Sequence, residues 1–140
     1  MKDLFNQIHP LRVISPVSVA DTTAQVGQII DKRGFKSLTY VIATGAIADA
    51  DATFTVLLEE GDAANLSDAA AVADADLLGT EVLAAFQFDD DNETRKLGYI
   101  GAKRYTRLTI TPVNNASAAV VAAVAVLGNP AIAPTANPPV

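Results

Sequence analysis

The chain has no cysteine, which excludes a disulfide framework, a thiolate metal site and a cysteine nucleophile. It has one histidine, His9, beside Pro10. One imidazole without a thiol cannot build a His-rich metal site, and a Ser-His-Asp triad would need His9 to leave its segment and enter a pocket. There is no Gly-x-Ser-x-Gly elbow and no Gly-rich phosphate loop. Aromatics make up only 6% of the chain. Three Tyr and five Phe, most of them on apolar strand faces, leave little for an exposed sugar-stacking groove. No apolar run approaches the roughly 20 residues that span a bilayer, the longest being 116–127. The first ten residues carry an acid and no apolar signal core, so a protein made in the cytoplasm without a membrane partner is expected. Positive charge is also short: Lys and Arg number 10 against 16 Asp and Glu, a net charge of −6. That balance disfavours direct, nonspecific nucleic-acid binding and suits docking on a basic protein surface.

The 140 residues fit one domain. Half of them are hydrophobic, with Ala and Val supplying much of the total, which suits thin sheet packing and close subunit contacts. The clearest pattern lies at 104–111. Thr106, Leu108 and Ile110 fall on one face, and Tyr105, Arg107, Thr109 and Thr111 on the other. This is the two-residue period of a strand with one apolar face, and Leu38, Tyr40, Ile42, Phe54, Val56 and Leu58 are the expected partners. Pro112 marks a strand end or an edge. Further strands are expected within 21–34, at 37–44, 53–60, 81–88, 95–102 and 118–127. Residues 37–44 and 53–60 pattern as an antiparallel hairpin with a long loop. Residues 65–79 read as a loop with one helical turn at most. Gly98 and Gly101 suggest a bulge or bend. In 118–127 both faces are apolar, so that strand is expected to be central or covered on both sides.

About eight short strands with regular turns predict an all-β antiparallel sandwich or jelly roll in 21–130, with an extended N-terminal arm over 1–20 and a Pro-rich C-terminal tail over 131–140. The arm must cover its own sheet as an edge strand or reach a neighbour. Phe5, Ile8, His9, Leu11, Arg12, Ile132 and Val140 are the candidate subunit or partner contacts. The loop carboxylates Asp49, Asp51, Asp62, Asp68, Asp74, Asp76 and Asp89–Asp91 lack the spacing of an EF-hand and read as solvated turns, although clustered loop acids are also what calcium takes. Arg95, Lys96, Lys103, Arg104 and Arg107 form the one basic cluster, with Tyr99 and Tyr105 among them. Pairing with acidic turns or a partner subunit is expected of it, rather than single-stranded nucleic acid.

Five ordered stretches add a family likeness: Gly34-Phe-Lys-Ser-Leu-Thr-Tyr-Val-Ile-Ala-Thr-Gly45, Asp51-Ala-Thr-Phe-Thr-Val-Leu-Leu-Glu-Glu-Gly-Asp62, Asp76-Leu-Leu-Gly-Thr80, Leu97-Gly-Tyr-Ile-Gly-Ala-Lys-Arg-Tyr-Thr-Arg-Leu-Thr-Ile-Thr-Pro112 and Leu127-Gly-Asn-Pro130. In this order they resemble small tailed-phage and prophage structural proteins, among them capsid cement (decoration) proteins such as the jelly-roll cement protein of a Bordetella phage. The resemblance implies a non-enzymatic virion protein on the outer capsid surface. Its partners would be the major capsid protein and further copies of itself, as a dimer or trimer. It implies no catalytic residue, metal or cofactor. A head–tail connector or tail component is the nearest alternative, and a host-surface or carbohydrate-binding module the next.

Overall fold

Strand β10 (Tyr105–Val113) sets the interior of the computed structural model, which describes residues 2–139. Thr106, Leu108 and Ile110 are buried, whereas Tyr105, Arg107, Thr109 and Thr111 remain partly exposed, as the alternation requires. Pro112 lies past the β2 pairing, one residue from the strand's end.

The remaining strands are β1 (Ile8–Val19), β2 (Gln25–Val26), β3 (Ile30–Asp31), β4 (Phe35–Ile47), β5 (Thr53–Gly61), β6 (Ala70–Ala71), β7 (Leu77–Leu78), β8 (Phe86–Gln87), β9 (Thr94–Tyr99) and β11 (Ala119–Pro130). One short helix, α1 (Glu81–Ala84), precedes β8. The first sheet runs β1-β11-β4-β9-β7. The second runs β2-β10-β5-β6, with β3 also on β10 and β8 also on β5. Every pair is antiparallel, and the pairs nest: β1 with β11, β2 and β3 with β10, β4 with β9, β5 with β8. A chain paired in this way is one long hairpin rolled into two facing sheets, the jelly-roll form of the antiparallel sandwich.

Between the sheets lie Leu38, Tyr40 and Ile42 of β4, Phe54, Val56 and Leu58 of β5, Leu97 and Tyr99 of β9, and Val121 to Leu127 at alternate positions of β11. Phe54 stacks on Phe86 with ring centroids 4.7 Å apart. Each large apolar side chain buried here stabilises the fold by about 1.5–3 kcal/mol. One flank is closed by residues 27–28, where Gly27 N–H donates to Leu108 O and Gln28 N–H to Val13 O, tying the two sheets together.

Residues 8–19 take the edge-strand reading of the arm: they form β1, paired with β11 from Ala119 to Gly128. Pro10 and Pro16 fit there because an edge strand has a side on which no amide is needed. Strands β4 and β5 do not form a hairpin. They lie in different sheets, and residues 48–52 form a largely exposed connection from one sheet to the other. Within 21–34 only the two short pieces β2 and β3 are ladder-paired. The 81–88 strand is instead a helical turn followed by β8. Thr80 caps it, its hydroxyl accepting from Leu83 N–H at 3.1 Å, which settles the first turn as helix. Gly98 is not at a bulge. It sits in register opposite Thr39 and Leu78, and a Cβ there would lie 2.8 Å from the Leu78 side chain that covers it.

Candidate functional site

The face of the first sheet that points away from the interior is apolar over its middle strands β11 and β4, with Arg12 of β1 and Lys96 of β9 on either side. Along β11 it carries Val120, Ala122, Val124 and Val126, and along β4 Thr39, Val41 and Ala43, paired side by side in register. Val120 and Val124 are 39% and 40% exposed. The apolar character of both faces of this strand is therefore only half explained within the chain. Its inner face is core, its place is between β1 and β4, and no layer among the described residues covers its outer face. The opposite outer face, on β5 and β10, is different. There Thr55 lies opposite Thr111, Leu57 opposite Thr109, and Glu59 opposite Arg107 with a 3.0 Å ion pair.

The terminal segments meet at one end of this bare face. Thr135 N–H donates to Asn6 O at 3.2 Å, and its hydroxyl donates to Ile8 O. Phe5, Ile8 and Pro10 line a small crevice with residues 135–137. Phe5 is 67% exposed and Ile132 is 84% exposed. These two candidates are free to touch a partner, and Ile8 is half-buried beside them. His9 and Leu11 are not free. His9 is buried, stacked on Phe35 at 5.3 Å, and Leu11 packs against the core. Their alternation in β1 turns both toward the interior. Arg12 points outward opposite Val124 and bonds Ser15 Oγ and Gln28 Oε1, each at 3.0 Å. Val140 lies outside the described residues.

The acidic residues build turns. Asp68 accepts from the amides of Asp62 and Ala63, Asp49 from Ala116, and Asp91 from Ile47. These amides hold the Asp68 and Asp49 carboxyls below the usual carboxylate range. Asp51 is pushed up by sharing hydrogen bonding and charge with Asp49. Among the described residues, no three potential ligands gather as a metal site would require. The basic cluster divides. Arg95 holds Asp90 and Glu93, Lys103 holds Asp62, Arg104 grips Asp31 with two 2.8 Å bonds, and Arg107 holds Glu59. Lys96 enters no ion pair among the described residues. Tyr99 is held by structure: its hydroxyl donates to Glu60 and accepts from Lys103 N–H at 3.0 Å.

A groove of about 510 Å³ completes the inventory. It opens on the outer side of β9, with Leu78, Gly79 and Leu83 on one bank, Thr94, Arg95, Lys96 and Gly98 on the other, and Thr39 of β4 behind them. Nothing in the sequence marked Leu78 and Leu83 for it. They stood in segments read as a loop and a strand, so their common bank appears only in three dimensions.

Fold and surfaces together define an antiparallel jelly-roll sandwich with an apolar strip along the outer side of β11 and β4. No family model matches the chain, and no curated protein matches it. Among solved structures it is similar to the SPBc2 prophage-derived protein YomS, at 12% identity and a TM-score of 0.40, covering 84% of this chain and 94% of that one. It is also similar to a xylan-binding domain of family 22, at 9% identity and a TM-score of 0.39, covering 94% of this chain and 93% of that one. A third likeness is to BtGH115A, a family GH115 4-O-methyl-alpha-glucuronidase, at 10% identity and a TM-score of 0.44. This chain spans 16% of that protein's length. At identities this low and TM-scores under 0.5, these likenesses say nothing of what the chain binds.

Proposed function

We propose that the protein is a non-enzymatic adhesion module that decorates the head shell of a tailed phage, binding the major capsid protein and stabilising the shell from outside. The observation that carries this reading is the uncharged outer face of β11 and β4. Val120, Ala122, Val124 and Val126 of β11 lie beside Val41 and Ala43 of β4 with no charge between them, and charge enters the face only at its flanks, at Arg12 and Lys96. Water gains nothing from such a face, whereas a second protein surface does, at about 25 cal/mol per Å² of apolar area removed from solvent. Ordering and docking costs consume most of that gain in any one contact. A modest remainder per copy becomes decisive when copies repeat over a shell. The exposed Phe5 and Ile132 extend the contact at one end, and the ordered motifs 34–45, 51–62, 76–80, 97–112 and 127–130 carry the resemblance to phage cement proteins.

The test is purified phage particles from a strain that makes the protein, examined by mass-spectrometric copy count and cryo-electron microscopy. Many copies spread over the outer head are expected. A Val124→Glu variant is expected to melt within about 2 °C of the parent, since its side chain already faces water, yet to lose most of its occupancy on the head. Few copies confined to the portal or tail would replace the cement role with a connector or tail role. Absence from particles, or full occupancy by Val124→Glu, would overturn the reading.

A further inference from the structure

We infer that the open edge of β9 is a docking groove for an extended acidic peptide strand from a partner protein. The partner's identity as the shell protein rests on the reading above; the groove's chemistry does not. Strand β9 is fully paired on one side, from Thr94 opposite Ala43 to Tyr99 opposite Leu38. On the other side β7 pairs only with Tyr99 and Gly98. The chain then turns away at Gly79, where φ is +83, so over Thr94–Leu97 β9 is flanked by no strand among the described residues, and helix α1 stands across the groove from it.

The backbone of β9 aims its groups into this gap. Ile100 N–H donates to Asp76 O on the β7 side, and Glu93 O accepts from Thr44 N–H on the β4 side. Amide directions alternate along a strand, so the N–H and C=O of Gly98, Lys96 and Thr94 all face the β7 side. Gly98 spends its groups on Leu78. Those of Lys96 meet the groove. The Thr94 carbonyl takes one bond from the Arg95 guanidinium, itself fixed by Asp90 and Glu93, and this closes the groove's far end.

The banks state what the strand should carry. Leu78 and Leu83 are 57% and 70% exposed, large aliphatics left bare beside an unpaired edge. Such an edge is a template for strand addition, in which backbone bonds hold the segment and alternate side chains select it. Lys96, on the outward side of β9 and without a carboxylate partner among the described residues, faces the position a cross-strand neighbour would take. An aspartate or glutamate opposite Lys96, with apolar residues toward Leu78 and Leu83, answers each of these features. The volume, about 510 Å³, lies within the range of specific ligand pockets. Pairing here would continue β7 and complete the sheet.

The experiment titrates the isotope-labelled full-length chain with a capped hexapeptide alternating aspartate and valine, following amide resonances by NMR. A capped hexapeptide alternating lysine and valine, and a β-1,4-linked xylose hexamer, serve as rival probes. The acidic peptide is expected to move the Thr94, Lys96 and Leu78 amides with a Kd of about 1 mM or tighter, and the basic one to bind at least ~10-fold more weakly. Lys96→Glu, an exposed change, should exchange the two preferences while leaving the melting temperature in place. No shift at about 10 mM acidic peptide, equal binding of both peptides, or preferential movement of the same amides by the sugar would overturn the proposal. Peptide binding by a protein that is absent from phage heads supports the groove and sinks the cement reading. Full decoration of heads by Lys96→Glu, with the acidic peptide still bound, overturns the groove and leaves the cement reading standing.

Discussion

Tyr40 and Thr106 are buried hydroxyls that bond each other across the sandwich, at 2.6 Å, one from each sheet. Tyr40 is completely buried, and burial pushes its phenol above the ordinary tyrosine range. The contact is neutral and satisfies both groups, so its value lies in what happens when one is lost. Tyr40→Phe strands the Thr106 hydroxyl in an apolar interior, and we expect a cost of about 1–3 kcal/mol in urea denaturation. Thr106→Val strands the phenol and should cost a similar amount. The double variant removes both polar groups and should recover most of either loss; additive losses would mean that the two side chains act independently. The alternation in 104–111 placed Thr106 on the inner face from sequence alone. Tyr40 was among the expected partners of that face, but its hydrogen bond to Thr106 was not legible, because the two stand 66 positions apart in different sheets.

At the level of elements, alternation revealed which side of a strand is buried but not which strand lies beside it. Leu38, Tyr40 and Ile42 would look the same whether β4 paired with β5 or, as it does, with β11 and β9. In a jelly roll the neighbours come from opposite ends of the chain, so a local hairpin is the natural error. Residues 81–84 misled for another reason. Val82, Ala84 and Phe86 keep a two-residue beat, yet the Thr80 cap fixes a turn of helix before β8 begins. In the basic cluster, the expected pairing with acidic turns appears at Arg95, Lys103 and Arg104, and the exception, Lys96, faces the groove. The edge strand also sharpens what a truncation can show. Deleting residues 1–10 would remove the pairs of Ile8, His9 and Pro10 with Gly128, Leu127 and Val126 and should destabilise the fold by about 2–4 kcal/mol. Deleting residues 1–7 spares that ladder. We expect a melting temperature within a few degrees of the parent and weaker attachment to phage heads. Equal attachment by this shorter truncation would remove residues 2–7 from the contact.

For the molecule as a whole, acid should be the effective denaturant. Asp31, Asp49 and Asp68 are held below the ordinary value of 3.8, Asp31 chiefly by the Arg104 side chain and the other two chiefly by backbone amides. A carboxyl depressed on folding contributes stability that is complete above its unfolded value and disappears as pH falls through its folded one. Asp51, raised by Asp49, works in the opposite sense and offsets part of this. The depressed group outnumbers it, so we expect the melting temperature to be level from about pH 5 to 8 and to fall below about pH 4. A thermal melt series across that range checks it, and a protein equally stable at pH 3 and pH 7 would show that these turns contribute little. The meeting of residues 6 and 135 has a different kind of consequence. With residues 6 and 135 fastened together, the backbone between them is nearly a closed circuit. Any cargo grafted beside either residue would emerge from the same pole, next to the valine face, and would compete for whatever that face adheres to.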